Sequence, residues 1–175
     1  ARVSMVKEAW EAQREIKNVM IFLQAHNVST SHATKIYKAY RNDSIMLVRE
    51  NPYRLANDIY GIGFKTADTI AQKLGVEKNA PNRVKAGLKY VLSQKADSSG
   101  HVFLYRQELI EVCQEILELS PDDIDLGIAS LIGEEEVIIE KIGDDEAIYL
   151  APFYYCEVGI NNTLNEILSV NRSSL

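Results

Sequence analysis

"YGIGFKTADTIAQKLG", residues 60–75, is the stretch on which the fold turns. Gly61-Ile62-Gly63 is followed by Lys65-Thr66 and then by apolar residues at helical spacing, a composition suited to holding a phosphate. A nucleotide-binding P-loop needs Gly, four residues, then Gly-Lys-Ser/Thr, between a strand and a helix. Here Phe64 separates Gly63 from Lys65, and the preceding segment reads as helix. A dinucleotide fingerprint fails for want of a strand upstream. A helix–Gly-Ile-Gly–helix turn suits a different ligand. Gly61 and Gly63 both permit positive φ and leave the backbone uncovered, so N–H groups can approach an anion. Ile62 should point inward and lock the turn. The N–H groups of Phe64, Lys65 and Thr66 open the next helix, whose dipole adds partial positive charge. Lys65 supplies a full charge, Thr66 a hydroxyl, and Ala67 the small side chain that lets the helices close. Such a site grips one backbone phosphate and reads no base edge. The bland alternative is a hairpin that only packs two helices.

Working outward, an internal repeat emerges. A shift of 34 positions lays "NVSTSHATKI" (27–36) on "GIGFKTADTI" (61–70). Ala33 meets Ala67, Ile36 meets Ile70, and Val28 meets Ile62. Asn27 stands in for Gly61, and Asn is the side chain that best tolerates positive φ. Ser29 falls on Gly63, where its side chain crowds any approach, so the second hairpin is the stronger candidate. Around the pair, Val6, Trp10, Ile16, Met20 and Leu23 predict a long helix over 4–25. Ser29 or Thr30 should cap a helix through Tyr40, and Asn51-Pro52 should open another. Gly75 should end the helix that Gly63 begins.

From Pro81 the pattern changes. Val84, Leu88, Val91 and Leu92 mark a helix, "HVFL" a short strand, and residues from about Arg106 to Leu119 a second helix. Ser120-Pro121 opens a third, with Ile124, Ile128, Leu131 and Ile132 inward. "VIIEKIGDDEAIYLAPF" predicts a β-hairpin around Gly143-Asp144-Asp145. Helix, strand, helix, helix, hairpin is the order of a winged helix. A weak helical pattern from Val158 to Val170 then runs into "NRSSL", read as a tether. The expected fold is mainly α: a tandem helix-hairpin-helix domain over 1–78, a small winged-helix-like α+β domain over 79–155, and a linker or helical tail over 156–175.

The net charge of −6 conceals an asymmetry. Residues 1–95 carry 16 Lys+Arg against 8 Asp+Glu, whereas residues 96–175 carry 3 against 17. Tandem hairpins in a basic segment bearing Lys35, Lys38, Lys65, Lys73, Arg83 and Lys85 point to DNA contact. The predicted DNA-binding set is Gly61, Ile62, Gly63, Phe64, Lys65, Thr66, Asn27, Val28, Ser29, Lys35, Lys38, Lys73 and Arg83. Residues 107–140 contain no Lys or Arg, so the second domain should stay off DNA; that face is either plain solvated surface or a docking face for a protein. Cys113 and Cys156, with three scattered histidines, offer neither a metal set nor a disulfide framework. No apolar run approaches membrane-spanning length and no leader opens the chain, so a cytoplasmic protein without a membrane partner is expected. Ala1 in place of Met, and an opening that reads as mid-helix, suggest an excerpt of a longer chain.

"GIGFKTADTIAQKLG" resembles the second hairpin of a tandem helix-hairpin-helix domain. With "EAQREIKNVMIFLQAHNVS", "IYKAY" and "VRENPYRLANDIYGIGFKTAD", it is similar to the N-terminal region of RecD/TraA-family DNA helicases, also described as exodeoxyribonuclease V alpha-chain-like. The resemblance spans about residues 5–155, and the NPYRL-to-GIGFKTAD run is its most specific part. It implies a superfamily 1 motor following residue 175 in the parent protein, moving 5′ to 3′ on single-stranded DNA with ATP and Mg²⁺. No motor motif lies in this sequence, so no catalytic residue and no cofactor is assigned to it. The implied role is a non-catalytic, sequence-independent grip on single-stranded or junction DNA, serving a helicase of repair or recombination. The motor would be its intramolecular partner.

Two other classes compete. One is a protein-interaction adaptor of the same helicase, with little DNA affinity of its own. The other is a helix-hairpin-helix DNA glycosylase, in whose lyase members the hairpin lysine attacks the sugar; Lys65 occupies that place. That chemistry also wants an activating carboxylate about 18 residues on. Position 83 is Arg, flanked by Asn82 and Val84.

Overall fold

Left-handed residues at Asn27 and Gly61 divide the first part of the chain into two hairpins. The computed structural model describes residues 2–172, with side chains described at 6, 7, 10, 11 and 13–169. Two compact units form, Ala1–Arg83 and Val84–Leu175. In the first, α1 (Arg2–Ala25) leads to α2 (Thr30–Tyr40). Helices α3 (Ser44–Glu50), α4 (Arg54–Asp58) and α5 (Phe64–Lys73) follow, and the boundary falls early in α6 (Pro81–Ser99).

Among the described residues of α1, the buried ones lie at its C-terminal end. Val19 and Leu23 are covered where α2 and α3 pack, whereas Val6 and Trp10 are 67% and 69% exposed. Asn51-Pro52 does not open α4 directly. The Asn51 side-chain oxygen accepts from the Tyr53 N–H at 3.1 Å, a local turn that delays the helix to Arg54. After α5 the chain stops as predicted at Gly75, with φ +82. Val76 N–H donates to the Ala71 carbonyl and Gly75 N–H to that of Gln72, the paired bonds of a left-handed helix stop.

In the second unit, α6 is followed by β1 (Phe103–Tyr105), α7 (Arg106–Leu117) and α8 (Pro121–Gly133). Strands β2 (Val137–Ile142) and β3 (Asp145–Leu150) complete an antiparallel sheet of order β1-β3-β2, before α9 (Ala151–Arg172). The two-residue turn Gly143-Asp144 has Gly143 at φ +65, which suits the strand twist. Ser120 caps α8, accepting from Asp123 N–H at 3.2 Å. Val84 and Leu88 of α6 join Leu109, Cys113, Ile124 and Ile128 in the core. Ile132, expected inward, is 37% exposed. The predicted hairpin also ends earlier than expected: β3 stops at Leu150, and Ala151-Pro152-Phe153 begins α9, whose first turn tolerates Pro152 because its missing N–H would be unpaired there. Of the expected tether, Ser173–Leu175 lie outside the described residues, as does Ala1. No helix among the described residues is long and apolar enough to cross a membrane.

Candidate functional site

The second hairpin joins α4 to α5 through Ile59–Gly63. Gly61 has φ +85, which its lack of a side chain permits. Gly63, which could also take positive φ, does not use it; at φ −96, ψ 176 it is extended. A Cβ built on Gly61 would lie 2.8 Å from Lys35 Nζ, whereas one on Gly63 would meet nothing within 4 Å. Neither backbone nor internal packing therefore demands glycine at 63. Its bareness faces outward.

Ile62 is 2% exposed and its N–H donates to the Ile59 carbonyl at 3.0 Å, so it locks the turn as predicted but offers no free donor. Phe64 is buried, its ring stacked on Tyr53 at 6.0 Å between centroids, so its side chain belongs to the core. Gly63 stands at the N-cap of α5 with no side-chain cap. Among the described residues, the N–H groups of Lys65 and Thr66 have no hydrogen-bond acceptor, and the helix bonds begin with Ala67 N–H to the Gly63 carbonyl at 3.1 Å. Two bare amides, a helix N-terminus, the exposed Lys65 ammonium and the Thr66 hydroxyl thus meet at one uncovered turn.

The first hairpin repeats the pattern of the second, with a change at the cap that bears on the site. Asn27 has φ 60, Val28 is 4% exposed, and Ala33 and Ile36 are fully buried, as are or nearly so their counterparts Ala67 and Ile70. Ser29, however, caps α2 and accepts from His32 N–H at 3.2 Å. A donor left open in the second hairpin is thereby occupied in the first.

Of the predicted cations outside the hairpin itself, Lys35 reaches the turn, donating from Nζ to the Tyr60 carbonyl at 3.0 Å. Lys38 follows one turn later on α2 and is exposed. Lys73 is exposed at the far end of α5, about 12 Å along the helix from Lys65, and is not gathered with the others. Arg83 corrects the prediction outright. It is 4% exposed and its Nε donates to Asp68 Oδ1 at 2.8 Å, Nη2 to Oδ2 at 3.2 Å, and Nη1 to the Lys78 carbonyl. A guanidinium buried on a carboxylate is not available to a phosphate. The basic half of the sequence is further depleted in the second unit, where Lys85, Lys89 and Lys95 pair with Glu134, Glu136 and Glu108.

Acidic groups beside the hairpins are themselves engaged. Asp58 accepts from Tyr40 Oη at 2.6 Å and lies 3.6 Å from Arg54 Nε, and Asp68 also accepts from Tyr53 Oη at 2.7 Å. Asp68, the next carboxylate after Lys65 along α5, is therefore committed to Arg83 and Tyr53 rather than to activating that lysine. Sequence reasoning missed this triad, whose members are separated by 15 residues each. It also missed Tyr60, which is 97% exposed at the hairpin tip. The signal was there: Ile59 and Ile62 are both apolar core residues, which leaves the intervening Tyr60 outside. Among the described residues no group of three or more His, Cys, Asp or Glu could hold a metal.

A family model described as the ATP-dependent RecD2 DNA helicase HHH domain matches residues 12–103, which contain both hairpins. The ATP-dependent RecD2 DNA helicase of Deinococcus radiodurans is 24% identical over 139 residues. That alignment covers 79% of this chain and 19% of the relative, so the chain spans about a fifth of that protein's length.

Proposed function

The chain belongs to the ATP-dependent RecD2 DNA helicase HHH domain family, and from that premise we propose that it is the DNA-binding accessory region of such a helicase. In this reading the tandem hairpins, residues 1–78, grip the sugar-phosphate backbone without reading sequence, and carry no catalysis. ATP and Mg²⁺ belong to a motor in the remainder of the parent protein, which acts in DNA repair or recombination. The observation that carries the reading is Gly63, a glycine that neither its own φ nor its neighbours require, set before the unpartnered amides of Lys65 and Thr66. A surface kept bare for no internal reason supports close approach by something outside. A phosphate fits the donors and the charge.

Gly63→Val tests it. Valine suits the extended backbone and the open space, so the fold should survive while the Cβ branches shield the amides. Binding should weaken alike on unrelated sequences, measured by fluorescence anisotropy across a salt series. Undiminished binding by a folded Gly63→Val chain would refute the hairpin grip.

For residues 79–155 we propose an adaptor that docks on the motor or on another protein. Its supporting observation is the lack of any Lys or Arg in residues 107–140; in the tail that follows, Ile160, Leu164, Ile167 and Leu168 add a stripe at helical spacing, each more than half exposed. Leu164→Glu with Ile167→Glu should abolish association with the motor region in gel filtration while leaving DNA affinity unchanged. Association that persists in the double variant would exclude this stripe.

A further inference from the structure

We propose that Tyr60 is a base-stacking platform that makes the second hairpin prefer single-stranded over duplex DNA; this rests on the backbone-gripping reading above. Tyr60 is 97% exposed, the most extreme value among the described large apolar and aromatic side chains. An aromatic ring standing wholly in water contributes nothing to the core, so folding gives no account of it. Its place is specific. It immediately precedes the left-handed Gly61, and the bare amides begin within a few residues of it.

The tip that carries the ring is held rigid on both sides. Ile59 and Ile62 are buried at 7% and 2%, and Lys35 Nζ donates to the Tyr60 carbonyl at 3.0 Å. A ligand that orders against this tip therefore loses little backbone freedom of the protein on binding. The bond from Lys35 also brings an ammonium to the main chain of the residue that carries the ring, so one tip holds both a positive charge and a flat surface for a base.

Single strands and duplexes present different faces to such a tip. In a duplex the bases are stacked on one another and hidden, and only phosphates reach the hairpin. In a single strand each base offers a π-face, and stacking on an aromatic side chain is indifferent to which base it is. The amides of Lys65 and Thr66 should thus hold either form, while Tyr60 adds affinity for the unpaired one alone. That assigns a strand preference without any sequence readout.

The substitution is unusually clean. The bond to Lys35 is made by the carbonyl of Tyr60, and the side chain is almost wholly exposed, so Tyr60→Ala keeps both the hook and the fold. The 175-residue chain and its Tyr60→Ala, Tyr60→Phe and Gly63→Val variants would be titrated with a mixed-sequence single strand and with its duplex at one fixed salt concentration. Tyr60→Ala should weaken single-strand binding about five- to tenfold and leave duplex binding unchanged. Tyr60→Phe should bind as the parent does, because stacking needs the ring and not the hydroxyl. A Tyr60→Ala variant weakened equally on both forms, or on neither, overturns the stacking role. Gly63→Val separates the two ideas: it should weaken both forms, and if it weakens neither, the backbone grip fails whatever Tyr60 does.

Discussion

Lys35 of the first hairpin's second helix donates its ammonium to the carbonyl of Tyr60 at the tip of the second hairpin, 25 residues away. The same ammonium fills the space that a side chain on Gly61 would need. One lysine thus ties the two halves of the repeat together, while the φ of +85 is what favours glycine at 61.

That relationship separates the two glycines experimentally. Gly61→Ala should destabilise the chain by about 1–2 kcal/mol, because φ +85 is strained for alanine and the new Cβ displaces Lys35 from Tyr60. Gly63→Ala should cost less, about 0.5–1 kcal/mol from the poorer N-cap alone, since its φ is ordinary and its surroundings open. Urea denaturation reads both values. DNA titration of the stable Gly63→Ala variant should then show a loss of affinity that unfolding does not explain.

Lysines that look equivalent in the sequence should differ in their salt dependence. Lys65 is exposed with no ion-pair partner among the described residues, whereas Lys85 is paired with Glu134 at 2.7 Å. Lys65→Gln should reduce the slope of log K against log salt by about 0.7–0.9, one phosphate contact. Lys85→Gln should leave that slope as it was. Equal slopes for the two variants would place the grip elsewhere.

Arg83→Met should cost stability rather than binding. Removing one partner of a buried pair strands the other, a loss of about 3–5 kcal/mol, and among the described residues Asp68 would retain Tyr53 and Gln72 as donors. Thermal melting should show the loss. At a temperature where the variant is still folded, its salt slope on DNA should match that of the parent chain.

The two cysteines should differ in reactivity. Burial pushes the Cys113 thiol up to about 12, whereas Cys156 is exposed on α9. A thiol reagent at neutral pH should label one site in the folded chain and two after denaturation. The sign of the pH effect follows from the raised value. The stabilising contribution of the protonated thiol is complete below the ordinary value of 9.0 and declines as pH rises toward about 12, because the unfolded chain deprotonates first. Alkaline titration of stability, compared with Cys113→Ala, measures that decline.

Much of this architecture was written in local pattern. The 34-residue repeat placed a left-handed residue at Asn27 and Gly61, an inward apolar residue at Val28 and Ile62, and a small one at Ala33 and Ala67, and each is where the spacing put it. The stop at Gly75, the cap at Ser120 and the turn at Gly143 were legible too, because each depends on the φ or hydrogen-bonding capacity of a residue and its nearest neighbours.

What the sequence could not determine was which charges and which bare surfaces remain once the chain has closed. Arg83 and Lys65 are both cations in one basic segment, yet one is buried on Asp68 and the other faces water. Gly61 and Gly63 are alike on paper, yet only one needs to be glycine for the fold. Pairing and exposure depend on groups 15, 25 or 49 residues apart meeting in space, and only tertiary packing brings them together.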